Sequence, residues 1–177
     1  MSITLIIGGA RSGKSKYAEE LAIKNAGTVS YIATATPLDA EMEARIHHHK
    51  IRRPSDWLLY ECPLDLADLL KVEAKKEQTI LIDCLTLWIN NQLHENSQQD
   101  FSLLFLNLIA SIQESVANII FVANEVGLGI IPLGEITRQF VDEAGRLNQQ
   151  VAQAADEVIF MVAGLPVPVK QKPQVCQ

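Results

Sequence analysis

The sequence has few cysteines, few aromatic residues and no long hydrophobic run. Its three cysteines, Cys62, Cys84 and Cys176, are odd in number and widely spaced, without a C-x-x-C pair. This set argues against a disulfide framework and a C-x-x-C zinc pattern, and it favours a reducing, cytoplasmic setting. No stretch approaches the ~20 apolar residues that a membrane span requires, so none is expected. The first apolar run lacks a basic segment before it and ends in glycines, which is typical of a strand rather than a signal peptide.

The chain carries a small net negative charge. The chain has 15 basic and 21 acidic residues, a formal net charge of −6, which argues against a broad nucleic-acid surface. Hydrophobic residues make up 48% of the 177 positions, an ordinary globular balance. We expect one domain over residues 1–170 and a flexible C-terminal tail over residues 171–177.

Short apolar runs alternate with longer amphipathic stretches along the whole chain. Strands are predicted at 3–7, 28–34, 57–62, 79–84, 118–126, 157–164 and 167–170. Helices are predicted at 15–27, 38–53, 64–76, 135–156 and through 85–116 with a break over 90–100. The alternation predicts an α/β fold, in which a mostly parallel sheet has right-handed crossovers and one late edge strand.

The stretch "GGARSGKS" (8–15) directly follows the first strand and opens a helix. It fits the pattern G-x-x-x-x-G-K-[ST], with Gly8, Gly13, Lys14 and Ser15 at the required places. Its glycines let backbone N–H groups wrap a phosphate, and the helix N-terminus adds positive potential. Lys14 is expected to reach the β- and γ-phosphates, and Ser15 to bind Mg²⁺ through its hydroxyl. The alternative is a glycine-rich turn that binds nothing.

Polar side chains follow several of the predicted buried strands. Asp83 ends one strand, Asn124 and Glu125 end another, and Glu61 closes a third. Because ligands of an open parallel sheet bind beyond the carboxyl ends of its strands, these residues and the phosphate loop are expected to share one edge. Asp83 is the candidate that holds Mg²⁺ opposite the loop. The alternative is that its carboxylate caps the next helix.

Three consecutive histidines, His47, His48 and His49, precede Lys50 in "ARIHHHKIRRP" (44–54). On a helix of ~3.6 residues per turn they cannot all face one ion, so their spacing argues against a zinc site. A nucleic-acid patch is disfavoured because the cluster is short and lacks aromatic residues. Two interpretations stay open from the residues alone. The stretch is a solvated helix end, or a neutral imidazole near a bound phosphate acts as a nucleophile.

Seven stretches together resemble one enzyme family, and they span residues 3 to about 170. They are "GGARSGKS" (8–15), "YIATA" (31–35), "ARIHHHKIRRPSDW" (44–57), "YEC" (60–62), "LIDCLTLWINN" (81–91), "VANEVGLGIIP" (122–132) and "GRLNQQVAQAADEVIFMVAG" (145–164). The family is the bifunctional adenosylcobinamide kinase / adenosylcobinamide-phosphate guanylyltransferase of cobalamin biosynthesis. The resemblance implies a RecA-like P-loop fold with helices on both sheet faces, one late antiparallel strand, and a homotrimer.

The resemblance also implies two activities. A kinase step phosphorylates adenosylcobinamide with ATP or GTP, and a transferase step moves GMP from GTP onto that phosphate through a GMP-histidine intermediate. In register with "ARI" and "HHK", the nucleophile falls on His48. The implied nucleotide contacts are Gly8, Gly9, Ala10, Arg11, Ser12, Gly13, Lys14, Ser15, Ala33, Thr34, Ala35, His49, Lys50, Ile51, Arg52, Glu61 and Asp83. Mg²⁺ accompanies the nucleotide on Ser15 and Asp83, and no permanently bound cofactor is implied.

Two other functions remain open at this level. One is a P-loop kinase of another small molecule, and the other is a non-catalytic GTP-binding switch. Glu125 is a candidate base for the kinase step by its position alone.

Overall fold

A computed structural model describes residues 1–25, 27–36, 43, 54–74 and 78–171. Within these residues the strands are β1 (Ile3–Gly8), β2 (Thr28–Ala33), β3 (Leu58–Glu61), β4 (Gln78–Asp83), β5 (Asn118–Asn124), β6 (Glu157–Val162) and β7 (Leu165–Lys170). The helices described over their full length are α1 (Lys14–Lys24), α2 (Leu66–Glu73), α3 (Leu85–Glu95), α4 (Phe101–Glu114) and α5 (Glu135–Ala154). The helix predicted over 38–53 lies outside the described residues apart from Glu43, and so do residues 172–177 of the predicted tail.

All seven strands form one sheet in the order β3-β2-β4-β5-β1-β6-β7. Every neighbouring pair is parallel except β6 and β7, which are antiparallel. This confirms the mostly parallel α/β fold with a late antiparallel edge strand. In β4 and β5, alternate residues point to opposite faces and both sets are buried, which explains their continuous apolar sequences.

The sheet is covered on both faces within the described residues. Helix α1 packs on one face through Ala18 and Ala22, in a cluster with Ile6 and Val122. Helices α2 to α5 contribute the larger cluster on the other face, around Trp88 and other buried side chains. The predicted two-faced arrangement is therefore confirmed, and it leaves the carboxyl ends of the parallel strands as one edge of the molecule.

Most element boundaries differ from the sequence prediction by one to three residues, and two differences have a structural explanation. The helical break predicted over 90–100 is shorter, because α3 continues to Glu95 and buries Gln92, whose side-chain amide donates to the Leu64 carbonyl at 2.9 Å. The last strand begins at Leu165 rather than at residue 167. Pro166 and Pro168 are compatible with it, since they lie two residues apart and both lack an N–H on the same side of an edge strand.

The last residue of β7 anchors the end of the longest helix. The Lys170 ammonium donates to three carbonyl oxygens at the C-terminal end of α5, at 2.6 to 3.0 Å, those of Ala152, Gln153 and Ala155. A cation at this position is favourable for two reasons. It binds carbonyls that have no partner within the helix, and it lies at the negative end of the helix dipole.

Substitution of Lys170 by methionine is expected to lower the free energy of unfolding by about 1–2 kcal/mol, since it keeps the alkyl stem and removes these charged hydrogen bonds. Urea unfolding followed by circular dichroism measures it. The control is Lys71→Met, which removes an exposed ion pair with Asp68 at 3.1 Å and should cost about 0.5 kcal/mol or less. Equal losses in the two variants would contradict the anchoring role.

No helix within the described part of the chain is long and apolar enough to cross a membrane. Cys62 and Cys84 are both buried free thiols. Burial raises the pKa of the Cys84 thiol to about 12, so this residue stays protonated and unreactive at neutral pH.

Candidate active site

The phosphate loop connects the end of β1 to the start of α1. Gly13 caps the helix with φ at 94°, a left-handed conformation that favours glycine, and no side chain caps the first N–H groups of α1. A Cβ added at Gly8 would lie 2.5 Å from the Met161 carbonyl oxygen, so only glycine fits beside β6. The uncapped N–H groups form the positive end of the helix dipole, where a phosphate binds favourably.

Lys14 folds back over this loop. Its Nζ donates to the Gly9 carbonyl at 2.7 Å, and the residue is only 7% exposed. Burial lowers the pKa of the Lys14 ammonium, while the nearby Cys84 and Asp83 act in the opposite direction. A phosphate bound in the loop would favour the charged form further.

Ser12 supplies a second sign that the loop accommodates a ligand. Its hydroxyl is buried and has no hydrogen-bond partner among the described residues. Its carbonyl accepts a bond of 3.0 Å from the N–H of Gly164, in the turn between β6 and β7. The turn between β6 and β7 therefore fixes the backbone of the phosphate loop. The unpaired Ser12 hydroxyl can donate to an added acceptor, such as a phosphate oxygen.

The sheet brings the predicted polar residues to one edge. Gly8 pairs with Asn124, and Ala33 pairs with both Asp83 and Glu61. The Glu125 N–H donates to the Gly8 carbonyl at 3.0 Å, directly at the start of the loop. The shared edge predicted from the sequence is thus present, although the roles of these residues remain predictions.

Asp83 is half-buried at the end of β4, and its Oδ2 accepts a hydrogen bond of 2.9 Å from the Tyr31 hydroxyl. The residue that caps α3 is Cys84, with no side-chain capping bond. The alternative that the Asp83 carboxylate caps the following helix is therefore wrong. The carboxylate is held beside the phosphate loop instead, close enough to influence Lys14.

Ser15 and Asp83 suit a magnesium ion by their chemistry. A hydroxyl and a carboxylate are the hard oxygen ligands that Mg²⁺ prefers. No group of three or more His, Cys, Asp or Glu side chains that could hold a metal occurs among the described residues. An ion here would therefore rely on phosphate oxygens of a bound nucleotide for its other ligands, as Mg²⁺ in phosphate-transfer sites commonly does.

Thr34 lies just after β2 and is completely buried. Its hydroxyl donates to the Cys84 carbonyl at 2.7 Å and accepts from the Cys84 N–H at 2.9 Å. Its own carbonyl accepts from the Asn91 side chain at 2.7 Å. Thr34 thus ties β2 to the segment after β4. Its contact with a nucleotide, and those of the half-buried Ala33 and Ala35, remain predictions.

The histidine stretch is outside the described residues. This applies to His47, His48 and His49, and to the implied contacts Lys50, Ile51 and Arg52. Glu125 is half-buried, and its Oε1 accepts a bond of 2.7 Å from the Gly127 N–H. Its role as a base stays a prediction.

The sequence analysis assigned no role to three residues that support this site: Tyr31, Asn91 and Gly164. Tyr31 looks like an ordinary interior strand residue, because nothing in the chain order shows that β2 lies beside β4. Gly164 contacts the phosphate loop only because β6 pairs with β1. In the sequence, the position of Gly164 between two apolar strands was the one feature that indicated a turn there.

The fold and the loop define a P-loop nucleoside-triphosphate-binding protein. The fold resembles the solved structure of the RadB recombinase, with a TM-score of 0.53 and 12% identity over 90% of this chain and 73% of that chain. The family model of cobinamide kinase / cobinamide phosphate guanyltransferase matches residues 4–169.

Two relatives agree with the family match. The bifunctional adenosylcobalamin biosynthesis protein CobP of Pseudomonas aeruginosa is 48% identical over 169 residues, which are 96% of this chain and 98% of the relative. The bifunctional adenosylcobalamin biosynthesis protein CobU of Salmonella typhimurium is 42% identical, covering 94% and 98%. The chain therefore belongs to the cobinamide kinase / cobinamide phosphate guanyltransferase family, and nucleoside triphosphates are its substrates.

Proposed function

We propose that this protein phosphorylates adenosylcobinamide with ATP or GTP and then transfers GMP from GTP to the new phosphate, giving adenosylcobinamide-GDP and pyrophosphate. The family match over residues 4–169 supports the pair of reactions. The observation that carries the proposal in the structure is the phosphate loop, with the buried Lys14 folded over it and Asp83 beside it.

In the kinase step, the nucleotide phosphates lie in the loop of residues 8–15. The uncapped N–H groups of α1 and the Lys14 ammonium stabilise the charge on the transferring phosphoryl group. The substrate hydroxyl attacks the γ-phosphorus, the bond to the β-phosphate oxygen breaks to release the nucleoside diphosphate, and the hydroxyl proton passes to a base. Glu125 is the candidate for that base, because it follows β5 at the same edge and its N–H binds the carbonyl of Gly8.

In the transferase step, a neutral imidazole of His48 attacks the α-phosphorus of GTP. A P–N bond forms as the bond to the β-phosphate oxygen breaks, and pyrophosphate leaves. The phosphate of the corrinoid substrate then attacks the same phosphorus, and the P–N bond breaks to restore the histidine. The choice of His48 rests on the register of "ARI" and "HHK" in the sequence.

Mg²⁺ bound with the nucleotide would offset negative charge on the leaving phosphates. Ser15 and Asp83 are the residues that would hold it, with the remaining ligands coming from phosphate oxygens and water. We propose no permanently bound cofactor.

A homotrimer in the cytoplasm completes the proposal. The loop after β5 exposes a run of apolar side chains, Leu128, Ile130, Ile131 and Leu133, between 78% and 99% exposed. Exposed apolar patches commonly mark association surfaces, which supports self-association. The buried free thiols are compatible with a reducing compartment. A solution mass equal to one 19.6 kDa chain would contradict the trimer.

Product analysis tests the function. Incubation with adenosylcobinamide and GTP should give first the corrinoid phosphate and then the GDP derivative, with pyrophosphate released. If the phosphate forms and no GMP is transferred, the protein is only a kinase. If GTP binds without any corrinoid-dependent turnover, a nucleotide switch is the better account. Turnover of another small alcohol with no reaction of the corrinoid would support a kinase of a different substrate class.

The pH dependence of GMP uptake gives an independent check on a histidine nucleophile. Only the neutral imidazole attacks, and the ordinary pKa of histidine is about 6.5, so the rate is expected to fall about tenfold from pH 7.5 to pH 5.5. Rapid-quench measurement of GMP uptake from GTP, without corrinoid, follows this step alone. Circular dichroism at both pH values controls for unfolding. A flat profile would contradict attack by a histidine.

A further inference from the structure

Tyr31 makes a contact with the candidate magnesium site that the reaction scheme above does not use. It lies inside β2, is 3% exposed, and packs on the sheet face that α1 covers. Its hydroxyl reaches the neighbouring strand β4 and donates to Asp83 Oδ2 at 2.9 Å. The hydroxyl of a buried tyrosine thus donates to the carboxylate that the proposal assigns to Mg²⁺.

We propose that Tyr31 is a positioning residue of the magnesium–nucleotide site. Its hydroxyl holds one oxygen of Asp83, so that the carboxylate is already oriented when Mg²⁺ and the nucleotide bind. The inference rests on the proposed function, in which Asp83 helps to hold that ion. A carboxylate accepts about four hydrogen bonds, so the bond from Tyr31 leaves capacity for a metal.

The surroundings fix the donor as well as the acceptor. The Tyr31 ring stacks on Trp57, with ring centroids 6.3 Å apart and planes inclined at 29°. This stack and the strand backbone limit where the hydroxyl can lie. Its direction is therefore set by packing before any ligand arrives.

The backbone of Asp83 is held from the same strand. The Thr34 N–H donates to the Asp83 carbonyl at 3.2 Å, and the Thr34 hydroxyl bonds both polar backbone groups of Cys84. The end of β2 therefore fixes the backbone through Thr34 and the side chain through Tyr31. Ligands held in this way lose less conformational entropy on binding, and loss of such a supporting bond typically weakens metal binding about 10–100-fold.

The competing explanation is that a buried tyrosine hydroxyl simply needs a partner and Asp83 is at hand. The two accounts differ in magnesium binding. A bond that only satisfies the hydroxyl affects folding stability, whereas a positioning bond changes the Mg²⁺ dependence of nucleotide affinity.

The test uses Tyr31→Phe, which keeps the ring and its stack on Trp57 and removes only the hydroxyl. Binding of a fluorescent α,β-methylene analogue of GTP, which cannot transfer GMP, is titrated with Mg²⁺ and repeated in EDTA. The Mg²⁺ concentration for half-maximal effect is expected to rise about tenfold, with affinity in EDTA within about twofold. The matched control is Tyr60→Phe, which removes a hydroxyl that donates to Glu73 Oε2 at 2.7 Å, and it should leave both values unchanged.

Asp83→Asn and the double variant Tyr31→Phe/Asp83→Asn separate this inference from the proposal beneath it. Asp83→Asn should lose most of the Mg²⁺ dependence, and adding Tyr31→Phe should then have no further effect. If Asp83→Asn alters Mg²⁺ dependence and Tyr31→Phe behaves like the wild type, the positioning role is overturned while the magnesium site stands. If Asp83→Asn also behaves like the wild type, the assignment of Asp83 to magnesium fails, and the inference fails with it.

Discussion

Replacement of Lys14 by alanine is expected to slow both the kinase and the transferase reaction about 10²–10³-fold, as the loss of one preorganised donor at developing charge does in other enzymes. The side chain is 7% exposed and its Nζ lies 2.7 Å from the Gly9 carbonyl, inside the phosphate loop. No other lysine or arginine among the described residues has its ammonium or guanidinium on this loop's backbone. In the proposed scheme both reactions use the same loop, so both should fail together.

Lys16→Ala is the matched control for this variant. Lys16 is on the same helix two residues later, and it makes only an exposed ion pair with Glu20 at 3.8 Å. Its removal should change turnover by less than about twofold, because exposed pairs contribute little. Product formation with GTP and corrinoid at saturating concentrations measures both variants. Activity of Lys14→Ala within tenfold of the wild type would contradict the role of this loop.

Replacement of His48 by alanine is expected to reduce GMP transfer more than about a thousandfold, because the covalent route is lost with its nucleophile. The kinase step does not use His48 in the proposed scheme. The corrinoid phosphate should therefore form at a rate within a few-fold of the wild type and accumulate. Chromatographic separation of the phosphate from the GDP derivative reads both steps in one reaction.

His47→Ala is the neighbouring control, since residue 47 precedes the "HHK" motif. This variant should transfer GMP at close to the wild-type rate. Full transfer by His48→Ala would place the nucleophile elsewhere, and His47→Ala and His49→Ala would then identify it. Loss of both reactions in His48→Ala would contradict the separation of the two steps.

Local pattern was enough to predict the phosphate loop and its setting. The loop lies between an apolar strand and an amphipathic helix, so sequence alone placed Gly13, Lys14 and Ser15 at a helix N-terminus. The edge shared by Glu61, Asp83 and Asn124 followed from parallel strands, whose carboxyl ends meet. These inferences needed no knowledge of the strand order.

Contacts between non-consecutive strands were beyond sequence reasoning. The bond from Tyr31 to Asp83 depends on β2 lying beside β4, and the bond from Gly164 to Ser12 depends on β6 lying beside β1. Neither adjacency is encoded in any local pattern. The end of α3 was misplaced for a related reason, since Gln92 looks like a loop residue until its partner Leu64 is known.

The two proposed reactions act on different phosphates of the nucleotide. In the proposed scheme, phosphoryl transfer needs the γ-phosphate beside the corrinoid hydroxyl, whereas GMP transfer needs the α-phosphate beside His48. The phosphate loop and Asp83 belong to the described edge of the sheet, whereas His48 lies outside the described residues. In the proposed scheme both reactions use one triphosphate position on this loop.

Labelling with GTP that carries the label at its α-phosphate tests the central claim most directly. The protein is incubated without corrinoid, and the modified residue is mapped by mass spectrometry under conditions that preserve acid-labile P–N bonds. We predict about one GMP per active site, on His48, with pyrophosphate released in equal amount. Guanylyl transfer that proceeds with no labelled protein, or with the label on another residue, would contradict the account.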